Sequence, residues 1–258
     1  MKSLSLLKLL VFGFCLSACS HANSDLESNT KAPDTAPQDS VAAGTAITQN
    51  CQTNTPLLLP AKEANTDASL TAYLQELQQA VQTQNTAQLQ QLLDPNIKTD
   101  FGGNGGWSDF KAKWQPENKT SEVWLLLDHL LRLGGGYPLE GNTSLYALPY
   151  VYSQWPDSID AFAHVAVVRD GTVLRDQPDT NAQTICTLDR IILQTDYEAS
   201  YPQGQTAEKK EWWSVQTIDG QLKGYVNHTD VYSPVAYRAL FNKNNKGKWL
   251  MTALVTGD

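Results

Sequence analysis

The clearest periodicity in the chain begins near Asp67. Leu70, Tyr73, Leu74, Leu77 and Val81 recur at spacings of three and four with Gln-rich positions between them, which predicts an amphipathic helix. Asn85 and Thr86 interrupt the pattern, and Leu89, Leu92 and Leu93 predict a second short helix ending at Asp94-Pro95. After a loop from Phe101 to Trp107 with glycines at 102, 103, 105 and 106, a short helix is expected through Phe110 and Trp114. The next helix runs from about Ser121 to Leu133, apolar on most sides and stopped by Gly134, Gly135 and Gly136. Asp128 and Arg132 have the i, i+4 spacing of an acid-to-base pair on its solvated stripe. Tyr146 to Trp155 is aromatic and punctuated by proline, which reads as extended chain.

From Phe162 the period changes to two. Short β-rich runs follow at 165–169, 173–175, 184–188, 191–195, 212–217 and 224–226, with Asp219-Gly220 as a hairpin turn. Such a succession is what a small barrel produces. Within 212–217, alternation puts Trp213, Val215 and Thr217 on one face and Trp212, Ser214 and Gln216 on the other. If Val215 belongs to the core, Trp213 shares that side and Trp212 faces out. Tyr197, Tyr201 and Tyr225 are then positioned to join Trp212 in a groove for stacking on sugar rings or apolar peptide groups; the competing reading is aromatic packing inside the barrel. The last segment reads as a hairpin, 235–241 and 249–255, around a turn at Asn242–Gly247.

Composition narrows the classes. Of 258 residues, 41% are hydrophobic and 18% charged, which is globular rather than disordered. Lys and Arg number 19 against 27 Asp and Glu, a balance that repels phosphate backbones and excludes nucleic acid as the expected partner. The 23 Trp, Tyr and Phe are uneven: after Phe12 and Phe14 none appears until Tyr73. Residues 20 to about 60 are rich in Ser, Thr, Asn, Asp, Ala and Pro and read as a tether, with an r.m.s. reach of roughly 35 Å for about 40 residues.

The first 19 residues carry an address. Lys2 and Lys8 precede an apolar run, 9–16, that is too short to span a bilayer. Leu16-Ser17-Ala18-Cys19 resembles a bacterial lipobox, which implies cleavage before Cys19 and acylation of its thiol; an ordinary secretory signal cleaved near Ala18 is the other reading. Ser20 follows where an Asp usually retains such lipoproteins in the inner membrane, which implies the outer membrane, facing the periplasm. Residues 1–18 carry two lysines and no acid, so the chain from Cys19 onward has 17 basic against 27 acidic residues, a net charge of −10. The lipid, not the charge, would hold such a body to a membrane. Cys51 and Cys186 then remain in an oxidising compartment, either as a disulfide or as two buried thiols.

Residues 165 to 232 resemble a bacterial SH3-like (SH3b) domain. The matching stretches are Val173-Leu-Arg-Asp-Gln-Pro178, Ala182 to Leu188, Trp212-Trp-Ser-Val215, Asp219-Gly220 and Gly224-Tyr-Val226, in the family's order, with Leu174 for its Asn and Tyr225 for its Trp. That resemblance implies a small barrel that binds cell-wall peptide or glycan. From about Ser69 the chain also resembles a family of uncharacterised bacterial envelope lipoproteins, through Phe101–Gly106, Pro149-Tyr-Val151, Tyr237–Phe241 and Gly247–Asp258. The final hairpin is similar to that of the α+β cone of ketosteroid isomerases. It is expected either to pack back onto 61–160 across an inserted barrel, or simply to extend the barrel.

The expectation is thus an α+β protein. Its parts are a lipoprotein signal peptide at 1–18, a tether at 19–60, an α+β domain at 61–160, an SH3-like barrel at 161–233 and a C-terminal hairpin at 234–258. Catalytic signals are poor. The glycines of 102–106 lack the Lys-Ser/Thr of a phosphate-binding loop, so a turn at positive φ is expected there. Cys186 sits in a strand-like run without a positioned base. His21, His129, His164 and His228 have no ligand spacing, and Asp157 and Asp160 read as a turn cap rather than an acid pair. No catalytic residue, metal or cofactor is expected. The site is placed on Trp212, Tyr197, Tyr201 and Tyr225, for binding peptidoglycan or an envelope protein. The alternative is a ligand or enzymatic pocket in the α+β region lined by Trp107, Trp114, Trp155 and Tyr150, and a third is a structural partner of a secretion or transport complex.

Overall fold

The computed structural model describes residues 49–51, 53–60 and 67–257. Every described residue belongs to one compact unit within 46–258. The signal peptide, Cys19, His21 and most of the expected tether lie outside the described residues.

The four longer helices are where the periodicity put them. Helix α1 (Ala68–Gln82) begins at Asp67, whose carboxylate accepts from the backbone N–H of Ser69 and Leu70, and it buries Leu70, Tyr73, Leu77, Ala80 and Val81. Asn85 caps α2 (Thr86–Leu92), and Ser121 caps α4 (Glu122–Leu133), which stops at Gly134 with φ 72°. Between them, α3 (Trp107–Trp114) starts at Gly106. Asp128 and Arg132 form their ion pair at 3.0 Å on the exposed side of α4.

The first sheet has the strand order β1-β11-β10-β2, where β1 is Leu93–Lys98, β2 Leu145–Leu148, β10 Arg238–Lys243 and β11 Trp249–Val255. The C-terminal hairpin is therefore the middle of this sheet and not an extension of the other one. Strand β11 pairs in parallel with β1 and antiparallel with β10, and β10 pairs antiparallel with β2. Burial on both faces matches that position: Leu250, Met251, Ala253, Leu254 and Val255 are all buried. The helices join this sheet in one core that includes Leu77, Phe110, Leu127, Phe241 and Trp249. Two local expectations are corrected. Pro95 does not end the α2 segment in a loop but sits in edge strand β1, at the irregularity between its pairs Leu93–Met251 and Lys98–Ala253, where a missing N–H is tolerated. Residues 146–155 are not simply extended, because a helical turn, α5 (Tyr150–Ser153), follows β2 after Pro149. Gly135 allows the α4 exit to approach β2: a Cβ there would lie 1.9 Å from the Ala147 carbonyl oxygen.

The second sheet is inserted between β2 and β10. It comprises β3 (His164–Val167), β4 (Thr172–Arg175), β5 (Thr184–Leu188), β6 (Ile192–Tyr201), β7 (Trp212–Thr217), β8 (Lys223–Asn227) and β9 (Val231–Tyr232). Their order is β5-β4-β8-β7-β6-β3-β9, so hydrogen bonding leaves β5 and β9 as edges and the ladder does not close into a ring. Among the described residues the fold is α+β, with five α-helices and two largely antiparallel sheets. The predicted turn at Asp219-Gly220 joins β7 to β8, with Gly220 at φ 69°. The tether assigned to 19–60 ends early, since Gln49 to Cys51 and Pro56 to Leu58 bond to this sheet. Asn50 bridges Thr187 and Leu57 bridges Ile191, Leu58 is buried, and Cys51 is disulfide-bonded to Cys186 of β5. That bond removes Cys186 as a free nucleophile.

Candidate functional site

Alternation within β7 decides which aromatics can meet. Trp213 and Val215 point into the core of the second sheet with Leu193, Val226 and Val231. Trp212 is on the opposite side but does not face solvent: it is 7% exposed, and Ser214 on the same side is 3% exposed. A central strand flanked by β6 and β8 is covered on both faces here, so the exposed Trp212 expected from the pattern is corrected to a buried one.

The three tyrosines also separate. Strand β6 pairs Asp196 with Ser214 but Tyr201 with Trp212, so it carries extra residues between the two pairs. The Asp196 carboxylate accepts from the N–H of Glu198 and Ala199, and the Ser200 hydroxyl donates to the Asp196 carbonyl and accepts from Ser214 N–H. Lys210, 3% exposed, closes the bulge by donating from Nζ to the carbonyls of Ser200 at 2.7 Å and Pro202 at 2.9 Å. Tyr201 and Tyr225 lie on the Trp212–Ser214 side, opposite Trp212 and Ser214 respectively. Tyr197 is on the other side, its ring 5.1 Å from Trp213 at 64°. The groove proposed from sequence is thus divided between two faces of one sheet.

A different aromatic cleft forms on the Tyr197 side. It has a volume of about 390 Å³ and is lined by Tyr197, Trp213, Val231, Tyr232, Val235 and Tyr237, among others. Strands β6 and β7 supply the first two, β9 supplies Val231 and Tyr232, and the connection from β9 to β10 supplies Val235 and Tyr237. The Tyr232 hydroxyl donates to the Tyr237 carbonyl at 2.5 Å, which fixes the turn between the sheets. Tyr237 meets Trp114 edge-on at 5.2 Å, and Lys113 Nζ stands 5.5 Å from the Tyr237 ring. Burial raises the Tyr232 phenol well above the ordinary tyrosine range, so it is a neutral donor at physiological pH. His228 also lines the cleft, with Nδ1 3.3 Å from the Glu211 carbonyl oxygen. Rings and apolar side chains, with a few polar edges, equip the cleft to stack on flat or apolar surfaces. Val235 and Tyr237 belong to no predicted groove because they come from the approach to the hairpin; only the return of β10 to β2 brings them beside β6.

The other candidates are dispersed. Trp107 stacks on Phe110 and Trp114 packs in the core of the first sheet, whereas Tyr150 belongs to a separate cluster with Val151, Ala166 and Ile192. Trp155, whose Nε1 donates to the Ile159 carbonyl, packs against the same cluster as Tyr150, so the four fall into two groups and do not line one pocket. In the glycine loop, Gly102 and Gly103 N–H donate to Asp100 and Gly105 N–H donates to Asp109, with Gly105 and Gly106 at φ 81° and 92°. The chain's own carboxylates occupy the donors that a phosphate would need. Among the described residues no group of three or more His, Cys, Asp or Glu is placed to hold a metal, and no helix is long and apolar enough to cross a membrane. His129, beside Tyr232 at 5.5 Å between rings, has its pKa lowered by burial and by the charge of Arg132.

No family model and no curated protein matches the chain. Among solved structures it is similar to a "putative ketosteroid isomerase" from Shewanella frigidimarina, at 9% identity over 73% of this chain and 94% of that one, with a TM-score of 0.25. A likeness at that score carries no argument about fold or activity.

Proposed function

We propose that this chain is a lipid-anchored lipoprotein of the bacterial envelope, held in the outer membrane through Cys19, that acts as a non-catalytic binding module for peptidoglycan or an envelope partner. The single observation that carries the binding reading is the aromatic cleft of Tyr197, Trp213, Tyr232 and Tyr237, which adjoins the inserted sheet. The SH3-like assignment of 161–233 is supported by the order of its motifs and by the hairpins β4–β5 and β7–β8 at the motif positions. The anchor reading rests on Leu16-Ser17-Ala18-Cys19. Export is consistent with the Cys51–Cys186 disulfide.

The test is co-sedimentation of the lipid-free chain (Cys19→Ser) with purified sacculi, alongside Tyr197→Ala and Tyr237→Ala. Saturable binding weakened at least tenfold by both substitutions, in variants with wild-type circular dichroism, supports the cleft. Binding no stronger than that of an unrelated acidic protein sinks the peptidoglycan reading. Mass spectrometry of the membrane-extracted protein tests the anchor: a mature terminus other than an acylated Cys19 refutes it.

A further inference from the structure

Arg238 stands apart from the other arginines. Arg132, Arg169 and Arg190 each pair with an aspartate, while Arg175 donates to the Ala182 carbonyl. Arg238, the first residue of β10, is 7% exposed and makes no ion pair with any described carboxylate. Its Nη1 donates to the Gly257 carbonyl, and Nε is buried with no hydrogen-bond partner among the described residues. The guanidinium lies 4.8 Å from the Tyr152 ring and 5.8 Å from that of Phe101. Cation–π contacts and one carbonyl leave a buried charge under-compensated, and such charges are normally paired.

Arg238 lines a surface cavity of about 350 Å³, walled by β2, α5, the chain that follows α5 and the connection from β9 to β10. Its apolar wall comes from Leu139, Leu145, Tyr152, Trp155 and Phe162, beside a polar part of similar extent. Leu139 is 54% and Phe162 56% exposed, and Phe101 across the guanidinium is 66% exposed. Large side chains left in water around one mouth are what a site for an apolar body shows. Among the described lining residues the acid is Asp157, which is solvent-exposed and unpaired with Arg238. A carboxylate entering the cavity would supply the missing charge and an acceptor for Nε in the paired geometry that guanidinium favours.

We propose that this cavity is a binding site for an organic carboxylate with an apolar or aromatic body, its acid group held by Arg238 and its body packed between Tyr152, Trp155, Leu139 and Phe162. The proposal is independent of the aromatic cleft, and its test does not involve sacculi. Isothermal titration of the lipid-free chain compares 4-phenylbutyrate with the uncharged 4-phenylbutan-1-ol. The acid binds at least tenfold more tightly than the alcohol; Arg238→Gln removes that preference and leaves the alcohol's affinity within twofold. Because Arg238→Gln could fail to fold, Phe162→Glu provides a second variant at an exposed position, and it weakens the acid at least fivefold more than the alcohol. Equal affinity for the two probes, a preference that survives both substitutions, or no binding of either probe at millimolar concentration would overturn the proposal. So would acid binding seen only after removal of Asp258, which would assign the guanidinium to the chain's own carboxylate.

Discussion

Removing the Cys51–Cys186 bond should lower the free energy of unfolding by about 5 kcal/mol, from the entropy of a closed loop of roughly 135 residues at 25 °C. The native side should lose little, because the segment it ties down has contacts of its own. Cys51 N–H donates to the Thr187 carbonyl at 2.8 Å, Thr187 N–H to Gln49, Leu58 N–H to Arg190 at 2.7 Å and Ile192 N–H to Pro56. Leu58 is 4% exposed, a burial worth about 2 kcal/mol on its own. The bond therefore acts chiefly on the unfolded chain, and two signatures follow. In urea, the Cys51→Ala/Cys186→Ala double variant should show a lower midpoint together with a higher m-value, as the unlinked chain expands. Under native conditions, hydrogen exchange at Leu58, Thr187 and Ile192 should remain protected. A loss below about 1.5 kcal/mol with an unchanged m-value would refute the unfolded-state argument. Loss of protection confined to 49–60 and β5 would refute its other half, by showing that the bond is what holds the segment in place.

Two further outcomes are expected. Lys210→Met should destabilise the protein by about 2–3 kcal/mol in urea, since it removes two charge-assisted hydrogen bonds and leaves the Ser200 and Pro202 carbonyls without their donor; a change under 0.5 kcal/mol would mean that the bulge holds itself. The Lys243 ammonium, 2.7 Å away, and then the Ser69 hydroxyl hold the Asp67 carboxyl well below the usual carboxylate range. A carboxyl depressed in the folded state contributes stability above its unfolded pKa of about 3.9 and loses it as pH falls below that value. Thermal midpoints should therefore drop below about pH 4, and Asp67→Asn, which keeps the cap acceptor, should flatten that limb; an unchanged slope in the variant would exclude Asp67 as its source.

The helices were legible because their signals are local. Leu70, Tyr73, Leu77 and Val81 mark the buried face of α1, and the pattern starts or breaks at Asp67, Asn85 and Ser121, which the structure shows to be caps bonded within three residues. Trp213 and Val215 were assigned to the core correctly because alternation fixes their common side. Trp212 was not, because alternation states which side a residue takes and nothing about what covers that side. Tyr197 fell on the wrong face for the groove because the extra residues in β6 after Asp196 break the register with β7, and nothing in the apolar pattern of 192–201 announces them. Strand β1 was missed because Pro95 is a local breaker, tolerated only because β1 turned out to be an edge.

By itself the sequence determined the elements whose hydrogen bonds close within a few residues: the four longer helices, the β7–β8 turn at Asp219-Gly220 and the two strands of the last hairpin. Tertiary structure alone decided where that hairpin goes. Leu240 pairs with Ala147, 93 residues earlier, and Met251 with Leu93, so the whole second sheet becomes an insertion between neighbouring strands of the first. The same return places Val235 and Tyr237 beside Tyr197 and Trp213, and buries Arg238 next to Tyr152 with no described carboxylate. Both candidate sites depend on side chains brought together from distant segments. Burial and charge pairing of that kind are properties of the packed chain, and no local spacing encodes them.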